Sequence, residues 1–316
     1  MQNQTIHDIL RLYFESQASY RAVGHRLHIE AKTAHRHVIT LGENCKTPLE
    51  VNCELKPNWS GFLLLDGNEI IVGKGSESLL IGADALSQDV VHATLAPGED
   101  GAQWTAFIKD IIEPPISYPL KGIITDGNLG LIKALRLLVP DIPYQACVRH
   151  FEQELIRYIR YQFIQKSGFW RETDRFLAVV AKVLYAPDIK VAETFRDAMV
   201  SDPGFAQAGL SRLVGKIVTC FDDLTRHHLY PGMPRTSNII EGINSRMDSK
   251  INQADGYGSH DTAWATLKLL IMCYRFKKFT DSRTNENNGK SPLELAGVKT
   301  ANINWINFSQ RRIEKN

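Results

Sequence analysis

The sequence has no apolar run long enough to cross a bilayer, no pair of cysteines spaced as CxxC, and no glycine-rich phosphate loop. The first absence excludes a transmembrane helix, which needs roughly 20 mainly apolar residues. The opening segment, MQNQTIHDIL, lacks a positive stretch leading into an apolar one, so no secretory leader is expected and a cytoplasmic location is. Five cysteines (Cys45, Cys53, Cys147, Cys220 and Cys273) are odd in number and scattered, which fits neither a disulfide framework nor a zinc ribbon. A metal site joining Cys45 and Cys53 to histidines is disfavoured against a reduced intracellular protein. The segment GKGSES is too short and misplaced to act as a GxGxxG turn, so a dinucleotide-binding fold is not expected. No internal repeat is evident. A formal net charge of +2 neither demands nor excludes a nucleic-acid partner, and any such function must rest on local basic surfaces.

What is present is ordinary for a globular chain: 43% hydrophobic and 23% charged residues over 316 positions, enough to bury a substantial core. Residues 5–42 read as three short helices. Ile6, Ile9, Leu10 and Tyr13 recur at helical spacing. Ser19 is placed to cap a second helix carrying Tyr20, Val23 and Leu27. After a break at His28-Ile29, a third helix puts Ala34, Val38 and Leu41 on one face. This pattern matches a helix-turn-helix, with Lys32, Thr33, His35 and Arg36 turned outward to meet DNA. The competing reading is a small helical bundle with a solvated polar face.

Pro48 and Pro57 among polar neighbours mark residues 46–58 as a linker. Beyond it, Phe62 to Leu65 and Ile70 to Val72 flank Asp66-Gly67-Asn68, a hairpin signal. Two further strand-like stretches, a helix near 105–112, a buried strand Gly122 to Thr125, a helix from Leu129 to Leu138 and a short strand Ile142 to Ala146 follow. That order predicts a mixed α/β sheet. From Phe151 to about His228 the pattern is helical throughout. Helices from Ile239 to Ile251 and from Ala263 to Phe276 come next, then a polar end with one docking segment, Ile303 to Phe308.

Asp66 and Asp126 each follow an apolar run. A carboxylate at the tip of a buried strand is costly without a compensating cation. Two of them close together repel unless a hard divalent ion such as Mg²⁺ (or Mn²⁺) is bound. Taken singly, each Asp-Gly is equally well a turn. Glu241 falls in the first turn of its helix, where a carboxylate also complements the helix dipole. Two aspartates at strand ends and a glutamate on a later helix form the donor set of a two-metal phosphodiester site. On the same helix, Arg246 and Lys250 are placed to face a phosphate backbone.

Four segments resemble the DDE transposases of the Mutator-like group and related bacterial insertion-sequence transposases: LLLDGNEI, GIITDGNLGLIKAL, ACVRHFEQEL and RTSNIIEGINSRMDSK. Their order and the long helical stretch before the last also match. The resemblance implies an RNase H-like mixed-sheet core with a helical insertion, preceded by the helix-turn-helix. It implies catalytic and metal-holding roles for Asp66, Asp126 and Glu241. Cys147 and His150 occupy the C-x-x-H positions, where a buried thiol and a satisfied histidine are favoured over zinc binding. Asn238 and Asn244 flank the glutamate and are placed to orient it.

The expected organisation is a DNA-binding domain at 1–45, the linker at 46–58, core segments at 59–150 and 236–280 around an insertion at 151–235, and a polar tail at 281–316. The implied activity is metal-dependent DNA cleavage and strand transfer, acting on double-stranded DNA (terminal inverted repeats and a target) as a homo-oligomer, nucleoid-associated in a prokaryote. Arg157, Arg160, Arg311 and Arg312 are further candidates for phosphate contacts; for any one of them a solvated charged face is the favoured reading. The alternatives are a non-catalytic DNA-binding regulator and an RNase H-like structure-specific nuclease without strand transfer.

Overall fold

The computed structural model describes residues 2–164, 170–282 and 284–311. In chain order its elements are α1 (Gln2–Leu10), α2 (Tyr20–Leu27), α3 (Ala31–Glu43), α4 (Pro48–Leu55), β1 (Phe62–Val72), β2 (Gly75–Asp84), β3 (Val90–Ala96), α5 (Gly101–Ile112), β4 (Gly122–Thr125), α6 (Leu129–Leu138) and β5 (Tyr144–Ala146). They continue with α7 (Val148–Ile159), α8 (Trp170–Leu184), α9 (Ile189–Val200), α10 (Pro203–Gln207), α11 (Ser211–Thr225), α12 (Asn238–Ile251), α13 (His260–Phe276), α14 (Pro292–Leu295) and α15 (Trp305–Ser309). The result is a mixed α/β architecture with both antiparallel and parallel strand pairs. Among the described residues, no helix is long and apolar enough to cross a membrane.

The chain divides into two compact units. The first comprises Met1–Leu120, Leu129–Pro140 and Asn238–Asn316. Its centre is an antiparallel meander in which β2 pairs with β1 on one side and β3 on the other. Leu63, Leu64, Leu65, Leu79, Leu80, Ile81, Val90 and Val91 are fully buried there, each contributing roughly 1.5–3 kcal/mol relative to exposure. β1 does not turn at Asp66-Gly67-Asn68. It runs straight through, with Asp66 opposite Ile81 and Asn68 opposite Leu79, and reverses only at Gly73-Lys74. Gly73 supplies the positive φ of 59° that this reversal needs. The apolar Ile70 keeps the pairing in register by staying buried while Ile71 faces outward.

Residues 46–58, expected as a linker, hold α4. Thr47 and Glu50 close a capping box around Pro48 at the first helical position. Val51 and Asn52 on this helix are buried, and the Asn52 amide donates to the Val91 carbonyl of β3 at 2.6 Å. Beside it lies a buried ion pair. Arg275 of α13 meets both oxygens of Asp89 at 2.7 and 2.8 Å and also donates to Asn52 Oδ1.

Asp100 caps α5 by accepting from Ala102 and Gln103 N–H, and α6 packs on α5. That contact depends on Gly130, where a Cβ would come 2.5 Å from the Glu99 carbonyl oxygen. At the N-terminal side, Ser19 caps α2 and His28 ends it in the left-handed region. Gly42 lets α3 lie directly on the Ala265 backbone of α13.

The second unit comprises Lys121–Asn128 and Asp141–Ser237. β4 and β5 pair in parallel, Ile123 opposite Tyr144 and Thr125 opposite Ala146. Helices α7, α8 and α11 enclose a core of Phe151, Leu155, Phe176, Leu213, Ile217 and Leu224. Gln145 is fully buried between the strand and the end of α11, where its amide donates to the Leu224 carbonyl at 3.0 Å.

Candidate active site

In the first unit, Asp66 is half-buried on β1. Its Oδ2 accepts from the side-chain amide of Asn244 at 2.8 Å, and its Oδ1 accepts its neighbour Gly67 N–H at 3.0 Å. Asn244 lies on α12 and is 9% exposed. Asn244 marks the helix face turned toward β1, and Glu241, half-buried, precedes it by one helical turn. A further turn along that face, Asp248 Oδ1 accepts from the Asn68 amide at 2.6 Å. Two strand residues, Asp66 and Asn68, are thus held to α12 by two polar contacts of opposite sense. Asn244, which the sequence places to orient the glutamate, donates its amide to Asp66. Asn238 is exposed at the first position of the helix.

Asn244 leaves its Oδ1 buried and accepting no hydrogen bond among the described residues. A buried polar atom of this kind normally finds a partner. Carboxylate oxygens beside a carbonyl oxygen still able to accept are the hard donors a hydrated Mg²⁺ or Mn²⁺ prefers, because such an ion keeps several waters that donate hydrogen bonds.

Lys250 does not reach solvent. It is fully buried, its Nζ donates to the Ala18 carbonyl at 2.7 Å and to Gln253 Oε1 at 2.6 Å, and it lies 3.3 Å from the centroid of the Tyr13 ring. Burial pushes its amine down to about 7. The amine is committed to tying α12 to the segment between α1 and α2. Arg246, by contrast, is exposed, with its guanidinium 4.6 Å from the centre of the Phe279 ring.

Asp126 belongs to the second unit. It leaves the end of β4 with its side chain exposed, and its Oδ1 accepts from Asn128 N–H at 3.2 Å. Here the expected strand-end position is observed, because Gly127 takes a positive φ of 100° immediately afterwards. Cys147 and His150 stand at the start of α7 and share a partner. Ser237 N–H donates to Cys147 Sγ at 3.3 Å, and the Ser237 hydroxyl lies 3.4 Å from His150 Nδ1. Burial pushes the Cys147 thiol up, but hydrogen bonds from His150 and Ser237 outweigh burial and hold it below the ordinary thiol value. Nothing local to Ser237 in the sequence signals a cysteine ninety positions away.

On α3, Ala34 and Val38 are fully buried while Lys32, His35 and Arg36 are exposed and Thr33 is half-buried. The outward surface has the residue pattern that the sequence suggested. Arg157 and Arg160 are exposed on and just past α7. Arg311 is engaged in a bidentate pair with Glu50 at 2.7 and 2.8 Å. Arg312 lies outside the described residues.

A sequence model described as "Transposase, Mutator family" matches residues 80–272. That range takes in Asp126, Cys147, His150 and Glu241, and it begins after Asp66. The transposase for insertion sequence element IS406 of Burkholderia multivorans is 23% identical over 202 residues, which cover 61% of this chain and 48% of that protein. The chain therefore spans about half the length of this relative. A chain of the cryoEM structure of the simian T-cell lymphotropic virus intasome in complex with PP2A regulatory subunit B56 gamma is 14% identical, covering 57% of this chain and 70% of that chain at a TM-score of 0.25.

Proposed function

The chain belongs to the Mutator family of transposases, and from that premise we propose that it cuts DNA at the ends of a mobile element and joins the freed 3′-hydroxyls to target DNA. In this reading Asp66, Asp126 and Glu241 are the three catalytic carboxylates, in an RNase H-like core. The observation that carries it is the bond from Asn244 to Asp66, which fastens one carboxylate to the helix that bears another across 178 positions of sequence.

These carboxylates would hold Mg²⁺ or Mn²⁺, and the bound ions would activate the attacking oxygen and stabilise the leaving one. The chain's own residues have separate tasks. Asn244 fixes which oxygen of Asp66 points outward from the α12 contact. The N-terminal turn of α12 places Glu241 where the helix dipole favours a charged carboxylate. Asp126 presents an exposed carboxylate at the end of its strand.

The helices α1 to α3 act in this reading as the helix-turn-helix, with Lys32, Thr33, His35 and Arg36 meeting the terminal repeats. Recognition of both ends of one element requires at least two copies of the chain acting together. Lys250 is left out of the DNA contacts because its amine is buried.

The test is cleavage and joining of DNA carrying the flanking terminal repeats, in Mg²⁺ or Mn²⁺, by wild type beside Asp66→Ala, Asp126→Ala and Glu241→Ala. Joining by wild type alone is the expected result. Binding without cleavage by all four proteins would favour a regulator. Cleavage without joining of a supplied 3′-hydroxyl end would favour a nuclease, and activity surviving all three substitutions would mean another active site.

A further inference from the structure

The opposite face of α12 borders a cavity of about 410 Å³. Asn244 and Asp248 point to β1, so Arg246 and Ser249 project from the other side of the helix. α13 contributes Tyr274, and the segment after it adds Lys277, Lys278 and Phe279. The size is at the small end for ligand pockets, with room for one nucleotide and too little for a base pair.

The lining combines the two features that bind single nucleotides without regard to sequence: cations for the phosphate and flat groups for the base. Arg246, Lys277 and Lys278 face a single carboxylate, Asp281, so the cavity is net positive. Lys277 is partly committed through its bond to the Glu15 carbonyl at 2.9 Å, whereas Lys278 is 58% exposed and only loosely paired with Glu294 at 3.7 Å. The Phe279 backbone is fixed on both sides, its N–H donating to the Lys290 carbonyl at 2.9 Å and its carbonyl accepting from Gly289 N–H at 2.8 Å. The Phe279 ring supports the Arg246 guanidinium above it, and a guanidinium plane is a good stacking surface for a base. Ser249 and Gln17, already bonded to each other at 3.2 Å, put polar groups at the rim.

We propose that this cavity receives one unpaired nucleotide of the bound DNA, its base stacked on the Arg246 guanidinium and its phosphate beside Lys278. The proposal rests on the DNA-transposing reading above and adds to it a place where a nucleotide leaves the duplex. Extruding a base costs unstacking and unpairing, and a pocket that restacks it offsets part of that cost.

The experiment compares two duplexes of arbitrary sequence, identical except that one carries a single bulged adenine. Affinities for wild type, Arg246→Ala and Lys278→Ala are measured by competition against a fluorescent duplex at fixed low salt. Both substituted residues are exposed, and circular dichroism with thermal melting confirms that the variants fold. Wild type is expected to prefer the bulged duplex about tenfold, the order of one base stack, and Arg246→Ala to bring the ratio to about one. Lys278→Ala is expected to reduce the ratio as well. Equal affinity of wild type for both duplexes, or a preference that survives Arg246→Ala, would overturn the pocket while leaving the transposase reading intact. Failure of wild type to bind either duplex would overturn both.

Discussion

Replacing Asn244 by alanine removes the 2.8 Å bond to Asp66 while leaving every proposed catalytic carboxylate in place. A hydrogen bond to a charged group contributes about 1.5–3 kcal/mol. Asp66 is only half-buried, so water replaces part of it and the folding cost should be no more than about 1–2 kcal/mol. The larger effect falls on the site. Removing a partner that orients a metal ligand typically costs 10–100-fold in metal affinity or activity. At about 1.36 kcal/mol per tenfold, that corresponds to about 1.4–2.7 kcal/mol, within the strength of the bond lost. The assay is joining of a pre-cleaved end with a free 3′-hydroxyl, measured across a Mg²⁺ titration with folding followed by circular dichroism. Asn244→Ala should lose 10–100-fold in rate at limiting Mg²⁺ and recover part of it at saturation. Asn244→Asp should be worse, because a second carboxylate then stands against Asp66. Full activity of Asn244→Ala at limiting Mg²⁺ would refute the idea that α12 orients Asp66 for metal binding.

Three further outcomes follow from packing and burial. Arg275→Met strands Asp89 in a buried site and should destabilise the fold by about 3–5 kcal/mol in urea melts; a loss below 1 kcal/mol would mean that the pair is dispensable. Gly130→Ala forces a methyl group against the Glu99 carbonyl, with an expected cost of about 1–3 kcal/mol, and wild-type stability in that variant would mean that α5 and α6 separate freely. The amine of Lys250 is depressed to about 7 in the fold, against about 10.4 in the unfolded chain. Between those values the unfolded chain binds the extra proton, so this residue makes stability rise with pH above 7, and its penalty is fully present below 7. Lys250→Met should therefore show a flatter dependence of melting temperature on pH from 7 to 9 than wild type; parallel curves would show that the amine is not depressed.

Local periodicity was enough to place several elements. Gly122 to Thr125 is a strand and Leu129 to Leu138 a helix because each apolar pattern has only one way to bury itself. The three N-terminal helices follow from Ile9, Val23 and Val38 in the same way. Turn chemistry at Asp126-Gly127 likewise put that carboxylate at the end of its strand. The identical signal at Asp66-Gly67 misled, because pairing with β2 from Asp66 through Val72 outweighs the turn preference of two residues. The linker reading of 46–58 failed for a related reason: Thr47 and Glu50 cap a helix whose buried face has its partner on β3.

What only the tertiary structure decided are the contacts between residues far apart in sequence. Lys250 reads as a surface cation until Tyr13 and the Ala18 carbonyl close over it. Asn244 reads as a neighbour of Glu241 until packing of α12 on β1 gives its amide to Asp66. The Arg246 guanidinium meets the Phe279 ring across 33 positions of sequence, a contact that no local pattern announces. A sequence exposes preferences set within a turn or two of chain. The partner of a polar side chain is set by which faces bury against each other, and that choice belongs to the whole fold.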